Sequence, residues 1–285
     1  MPVRAPVVLG PEEIFSESWN FHRKDALVAV ADDVVQGKRP LRIASYNVHK
    51  CVGMDFKKDP DRIAAVIRSL DADIISLQEV LSDPGESASA QVRYLAKKTG
   101  MYMAVAGSTK RKKDGRFGNA LLSRFPIKEV RLHDISFSSF EPRGMIDADI
   151  LIGDLTVRVV ATHFGLWPTE QNSQADRLLE ILPERSLSPV ILMGDMNDWV
   201  PGSTAARRLK KRLGEPASVR SFPAAFPVLS LDKIWVLPAE HRYKAAAYRP
   251  NVTWVASDHL PVVADIPFHV LSTSKFRYPA LKPAL

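Results

Sequence analysis

The chain holds a single cysteine, Cys51, in 285 residues. An internal disulfide is therefore excluded, no cluster of thiolate ligands is available, and nothing asks for an oxidising compartment, so a cytoplasmic address is expected. Long apolar runs are missing too. No stretch approaches the ~18 residues that cross a bilayer, although positive charge leaves peripheral membrane contact open. The opening residues MPVRAPVVLGPEEIFSESWN carry one basic residue and no apolar core before a small-residue cleavage site, so they do not read as a signal peptide. Also missing are the phosphate loop GxxxxGK[ST], the zinc helix HExxH and the nucleophile elbow GxSxG. Readings as an NTP-dependent transferase, a zinc peptidase or a serine hydrolase lose most of their support.

What is present is the composition of a soluble globular protein, 46% hydrophobic and 25% charged. Lys and Arg number 39 against 32 Asp and Glu, a net charge of +7 that favours polyanionic partners such as nucleic acid, anionic lipid or phosphorylated small molecules. Residues 1–40 join a helical-looking PEEIFSESWNFHRKDALVAVADDVV to the breaker GKRP and read as an N-terminal helical extension. Beyond it, LRIASYNV, ADIISLQEV, YMAVAG, GNALLSRFPI, DADILIGDLTVRVVATHF, PVILMGDMN, LDKIWVL and LPVVADIPF have strand character. DPDRIAAVIRSLDA, ASAQVRYLAKKTG, TEQNSQADRLLEILPE and GSTAARRLKKRLG have helical spacing, several opening on an Asp, Ser or Thr cap and closing near Gly. The Gly-Asp turn inside DADILIGDLTVRVV makes part of the sheet antiparallel. No repeat or linker divides residues 41–268, which read as one catalytic domain, and residues 269–285 form a polar, Pro-interrupted tail.

Polar side chains collect where these apolar runs end: Asn47, Glu79, His163, Asp195 and Asn197, with Asp258 and His259 just ahead of a strand. Singly, each has an ordinary explanation, since Asn and Asp favour turns and a lone histidine is usually structural. Together they make a set of hard oxygen donors, amides and two imidazoles. Carboxylate and amide oxygens suit Mg²⁺, Ca²⁺ or Mn²⁺ rather than zinc. Two histidines beside such a site serve as base, acid or charge stabiliser for transfer at phosphorus.

Taken in order, SYNVHK, ISLQEV, GNALLSRFPI, ATHFGL, GDMNDW, LDKIW and SDHLPV resemble the motif series of the endonuclease/exonuclease/phosphatase superfamily, the deoxyribonuclease I-like metal-dependent hydrolases. The resemblance runs from about Leu41 to Phe268. It implies an α/β (α+β) fold built as a four-layered α/β/β/α sandwich, two packed mixed β-sheets flanked by helices, with the active site where loops leave the strands at one end. It also implies roles. Glu79 is the direct metal ligand, Asn47 lies on or beside the metal and Asp258 completes the shell, with Mg²⁺ the expected ion and Mn²⁺ a substitute. Asp195 orients or deprotonates the attacking water and Asn197 donates to a phosphate oxygen, unless this pair holds a second metal. His259 is the general base or a phosphate-stabilising imidazole, oriented by Asp232 of LDKIW. His163 donates a hydrogen bond to developing charge, or a proton toward the leaving oxygen. Asn119 falls where relatives place a polar side chain beside the phosphate, and Arg143 either offers the phosphate a fixed cation or forms a surface salt bridge. His49 reads as a packed loop residue and Lys50 as a steering charge.

The run TKRKKDGRFG, residues 109–118, reads as a basic loop that guides an anionic substrate into the site, and RRLKKRL, 207–213, as the exposed side of a helix. Trp167 and Trp199 follow catalytic motifs closely and either stack on a base or lipid headgroup or belong to the core. The expected activity is that of a monomeric, metal-dependent phosphodiesterase hydrolysing a P–O bond of an anionic phosphodiester with water activated by Asp195 and His259. Its substrate stays open among DNA or RNA, a phospholipid or sphingomyelin-type lipid, and an inositol phosphate, because fold does not choose among them. GDMNDW and SDHLP depart from the Ala-His-type continuation and SDHCP of abasic-site endonucleases, which counts against that branch. A non-catalytic binding module is the opposing reading, and retention of every polar role argues against it.

Overall fold

The computed structural model describes residues 6–15, 29–87, 89–101, 103–112, 115–182, 188–237, 243–250 and 253–272. Its strands are β1 (Val7–Leu9), β2 (Leu41–Asn47), β3 (Ile74–Ser82), β4 (Met103–Lys112), β5 (Gly115–Ser123), β6 (Ile127–Asp134), β7 (Gly144–Ile152), β8 (Leu155–His163), β9 (Val190–Asp195), β10 (Ala217–Ser218), β11 (Asp232–Leu237), β12 (Lys244–Ala247) and β13 (Val262–Ile266). They form a seven-stranded sheet in the order β1-β4-β5-β3-β2-β13-β12 and a six-stranded sheet in the order β10-β11-β9-β8-β7-β6. Both are mixed. The parallel pairs are β2 with β3 and β8 with β9, and the remaining pairs are antiparallel.

Central strands here read as nearly continuous apolar runs because both of their faces are buried. Side chains alternate across the sheet plane, so Ile43, Ile74, Val159 and Ile191 point into the core between the sheets. Their neighbours point outward. Ala44 and Ile75 meet Ile63, Ile67 and Leu95 of helices α1 (Pro60–Leu70) and α2 (Ala90–Thr99), while Val160 and Leu192 meet Leu178 and Leu209 of α3 (Pro168–Ile181) and α4 (Thr204–Leu213). Three apolar layers thus separate four structural ones, and each buried Ile or Leu contributes about 1.5–3 kcal/mol. The helices start where capping chemistry starts them: Asp59 accepts from the Arg62 amide at 2.9 Å with Pro60 following, and Ser203 accepts from Ala206 at 3.1 Å.

Parts of the segments expected as extensions are built into the sandwich, while residues 1–5, 16–28 and 273–285 lie outside the described residues. Among the described residues, the N-terminal part contributes edge strand β1 beside β4 and a short helix, Pro11–Phe15, with residues 29–35 helical. At the other end Phe268–Ser272 is helical and buries Val270 and Leu271 in the core between the sheets. No helix among the described residues is long and apolar enough to cross a membrane.

Candidate active site

Chain direction brings the polar strand ends together. His163 at the end of β8 and Asp232 at the start of β11 flank Asp195 at the end of β9, each as its direct cross-strand neighbour. In the other sheet β2 and β3 run parallel, so Asn47 and Glu79 finish at one edge, and antiparallel β13 places the preceding SDHLP loop beside Asn47. Gly194 permits the close fit. A Cβ there would lie 2.0 Å from the Thr162 carbonyl oxygen, so only glycine lets β9 approach β8 where both deliver polar groups.

Three buried groups form the centre of the site. Nδ1 of His259 lies 2.9 Å from Oδ2 of Asp232, and its Nε2 faces Oδ2 of Asp195 at 3.6 Å. Ser221 donates from Oγ to the same Asp232 oxygen at 2.5 Å. Burial by itself would lower the imidazole, but the charges of Asp232 and Asp195 and the Asp232 hydrogen bond outweigh it and raise His259 to about 10. His259 is thus an imidazolium at neutral pH. Burial pushes the Asp195 carboxyl above the ordinary carboxylate range, against the opposing pull of His259. The ring of Phe222 packs 4.8 Å from the imidazole and Trp199 meets Phe222 edge-on at 5.3 Å, which fixes the ring from the side.

His163 is held differently. Nη1 of Arg143 lies 3.2 Å from its Nδ1, and because a guanidinium only donates, Nδ1 is an acceptor and Nε2 carries the proton. Burial and the Arg143 charge hold this histidine well below its ordinary value, so it is a neutral N–H donor and not a proton source. With the proton on Nε2, the acceptor near it is Asp195 Oδ2 at 3.7 Å, because the Asn197 nitrogen 3.1 Å away is itself a donor. Asn197 sits in the left-handed region at φ 47, a conformation Asn tolerates, with its backbone N–H on Asp195 Oδ1 at 2.9 Å and its side chain on the Phe164 carbonyl. Arg143 is buried, and its Nε has no hydrogen-bond partner among the described residues. Arg143 also forms an ion pair with the half-buried Glu141 at 3.4 Å, so the salt bridge weighed from sequence forms alongside the contact with His163.

A third group suits a cation. The Asn47 side-chain nitrogen lies 3.3 Å from Glu79 and 3.1 Å from Asp195, so two carboxylates converge on one amide at the ends of β2 and β9. Two carboxylates are the donor chemistry of Mg²⁺ or Mn²⁺, and the Asn47 oxygen, the atom through which an amide would ligate, accepts from the His49 amide at 3.1 Å. Glu79 reaches this point from a bulge in β3, at φ 58, where pairing with β5 slips between Leu77 and Val80. Such backbone in a non-glycine residue costs of order 1–3 kcal/mol and marks a position held for its side chain. Asp258 is half-buried, hydrogen bonded to Ser257 at 3.3 Å and 3.9 Å from His49. A tight Asp195/Asp232/His259 group also has ligand-capable atoms. These atoms lie within 4.8 Å of one another.

Asn119 bonds elsewhere than the rest, donating to the Gly144 carbonyl at 3.0 Å and so pinning the start of β7 beside Arg143. His49, expected to be packed, is half-exposed; its amide donates to Asn47 Oδ1 at 3.1 Å, and Lys50 lies over the Phe117 ring. In TKRKKDGRFG, Lys113 and Asp114 lie outside the described residues, and the flanking residues belong to the paired strands β4 and β5, with Arg116 opposite Ser82 at the Glu79 end of β3. In 207–213 the exposed side holds Arg207, Arg208, Lys210 and Lys211, while Arg212 is buried. Trp167 and Trp199 are exposed and do not belong to the core.

Three contributors were missed from sequence. Ser257, which holds the Asn47 carbonyl at 2.7 Å, stands inside SDHLPV and was legible there. Ser221 and Gln171, the latter bonded to the Asn197 carbonyl at 2.6 Å, lie in segments with no motif.

A sequence model of the endonuclease/exonuclease/phosphatase family matches residues 44–259. The uncharacterised protein YbhP of Escherichia coli K12 is 28% identical over 247 residues, covering 79% of this chain and 96% of YbhP. Among solved structures, an endonuclease/exonuclease/phosphatase from Beutenbergia cavernae superposes with a TM-score of 0.63 at 23% identity, over 80% of this chain and 71% of its own. A mannosyl-6-phosphatase from Bacteroides thetaiotaomicron superposes with a TM-score of 0.59 at 19% identity, over 79% and 98%. These two solved structures share the sandwich.

Proposed function

The chain belongs to the endonuclease/exonuclease/phosphatase family, and on that premise we propose that it is a divalent-metal-dependent phosphodiesterase in which Asp195 is the base and His259 the cation. The observation that carries this reading is the buried line Asp232–His259–Asp195, with distances of 2.9 and 3.6 Å, beside the Arg143–His163 pair at 3.2 Å. The imidazolium and the neutral N–H donor both turn Nε2 toward Oδ2 of Asp195, at 3.6 and 3.7 Å.

Asp195 accepts the proton of the water that attacks phosphorus. Its raised affinity for a proton makes it a better base than an exposed carboxylate, and the Asn197 amide and Asn47 hold its two oxygens in place. His259, kept charged by Asp232, stabilises the added negative charge and gives its proton to the departing alkoxide. Asp195 returns that proton across the 3.6 Å gap. His163 donates from Nε2 to a phosphoryl oxygen, its tautomer set by Arg143, whose free Nε is a second donor for the same anion. Glu79 and Asn47, with Asp258 alongside, would hold a Mg²⁺ or Mn²⁺ ion, which would supply positive charge to the substrate phosphate. The P–O bond to the leaving alcohol breaks as the P–O bond to water forms.

The test is hydrolysis of bis-p-nitrophenyl phosphate. Turnover is expected with Mg²⁺ or Mn²⁺ and is expected to vanish with EDTA. Activity that survives chelation would remove the metal from the reading, and cleavage confined to the monoester p-nitrophenyl phosphate would make the protein a phosphomonoesterase.

A further inference from the structure

We propose that the loops around this site seat on an anionic lipid bilayer, so that the phosphodiester reaching His259 is that of a phospholipid still in its membrane. The inference rests on the phosphodiesterase reading and names its substrate class.

Among the described residues, thirteen large hydrophobic side chains are a third or more exposed, and only Val7, Val8 and Val35 lie away from the catalytic end, which leaves ten around it. They stand on six segments, each joined to a strand end that delivers a polar group to the site. Phe56 follows β2, Trp167 follows β8, Val200 follows β9, Phe226 precedes β11 and Trp254 precedes the SDHLPV loop. Exposure is high: 91% for Phe56, 76% for Phe226 and 60% for Trp167. Large apolar side chains gathered around one end of a water-soluble surface mark a contact face.

The chemistry of the rim selects the partner. Tryptophan and phenylalanine could stack on bases, but Leu166, Val200 and Val228 offer a base no face, so a nucleic acid accounts for part of the rim only. A bilayer takes both kinds, aliphatic side chains toward the acyl region and aromatic ones at headgroup level. A net charge of +7 matches an anionic surface, and Arg116 of the basic segment 109–118 pairs opposite Ser82 at this same end. Asp195, Asn197 and His259 are buried at the strand ends from which these loops leave.

The experiment compares full-length wild type with the triple variant Phe56→Ser, Trp167→Ser, Phe226→Ser, all at exposed positions outside the catalytic groups. Both are floated, in an inactive Asp195→Asn background, with vesicles of phosphatidylglycerol and phosphatidylcholine. Wild type is expected to float at low salt, and the triple variant to lose at least about tenfold in partitioning. With Asp195 intact, both should turn over bis-p-nitrophenyl phosphate equally. Wild type that cleaves the soluble diester yet stays off the vesicles overturns the proposal, as does a triple variant that floats unchanged. Retention on single-stranded DNA, lost in the triple variant, would overturn it in favour of a nucleic acid. If wild type fails on the soluble diester, the phosphodiesterase reading falls and takes the lipid substrate with it, a failure that flotation tells apart from failure of the surface.

Discussion

Replacing Asp232 by Asn keeps the shape of the side chain and removes the charge that keeps His259 protonated. The rise of His259 to about 10 from an ordinary 6.5 corresponds to roughly 5 kcal/mol in favour of the imidazolium. Asp232 is the largest favourable contributor to that rise, through its charge and its 2.9 Å hydrogen bond, while burial pulls the other way. Neutralising it should therefore bring the titration of His259 down into the neutral range. Two consequences follow. Turnover of bis-p-nitrophenyl phosphate at neutral pH should fall by about 10²–10⁴-fold, as when the orienting carboxylate of a histidine is lost elsewhere. The pH profile should also change form: activity that needs the imidazolium persists in wild type until pH approaches 10, and in Asp232→Asn it should already decline as pH rises through neutrality. Stability follows the same sign. The folded state holds the His259 proton to about 10 while the unfolded chain releases it near 6.5, so this contribution is complete below 6.5 and is lost as pH rises through 10. The assay is a pH–rate profile of both proteins, with circular dichroism to confirm folding. Turnover within about threefold of wild type, with an unshifted alkaline limb, would refute the reasoning.

The ion cluster on β6, β7 and β8 yields a prediction about stability alone. Asp147 is buried and accepts from Arg158 at 2.9 and 2.7 Å, from Arg131 at 3.1 and 3.0 Å, and lies 3.1 Å from His133; burial would raise its carboxyl, but these partners hold it well below the ordinary range. Asp147→Asn should cost roughly 3 kcal/mol in urea denaturation and leave turnover per folded molecule unchanged. Because the native value is depressed, the wild-type contribution is present above the ordinary carboxylate value of 3.8 and fades as pH falls below it, so the gap between the two proteins should narrow in acid. Arg143→Met should leave the fold intact and lower turnover by about a hundredfold, since His163 loses the donor that sets its tautomer and the phosphate loses a cation. Restoration of activity by Arg143→Lys would show that charge, rather than the guanidinium geometry, is what counts.

How much of this was legible differs from element to element. The four helices and the eight strand-like runs were readable because capping residues and apolar periodicity are local. Strands β10 and β12 were not, since Ala217–Ser218 and Lys244–Ala247 are too short to show a period and exist only by pairing with β11 and β13. Strand β6 is rich in charge, IKEVRLHD, and stays extended because β7 and the Arg131–Asp147 pairing hold it. Among the site residues, Asn47, Glu79, His163, Asp195 and His259 were visible as polar interruptions of apolar runs.

The sequence by itself determined which side chains are available, that they end strands, and that their oxygen-rich chemistry suits a hard cation and a phosphate. Tertiary structure decided their states. Arg143 was ambiguous until β7 set it beside His163, and the protonation of His259 and His163 depends on burial and on neighbours that lie 20 to 64 positions away in the chain. Trp167 likewise changed meaning only when its loop was seen to lie exposed at the catalytic end. Periodicity and capping act over a few residues, whereas charge and desolvation act through space, and only the folded chain defines which groups are near.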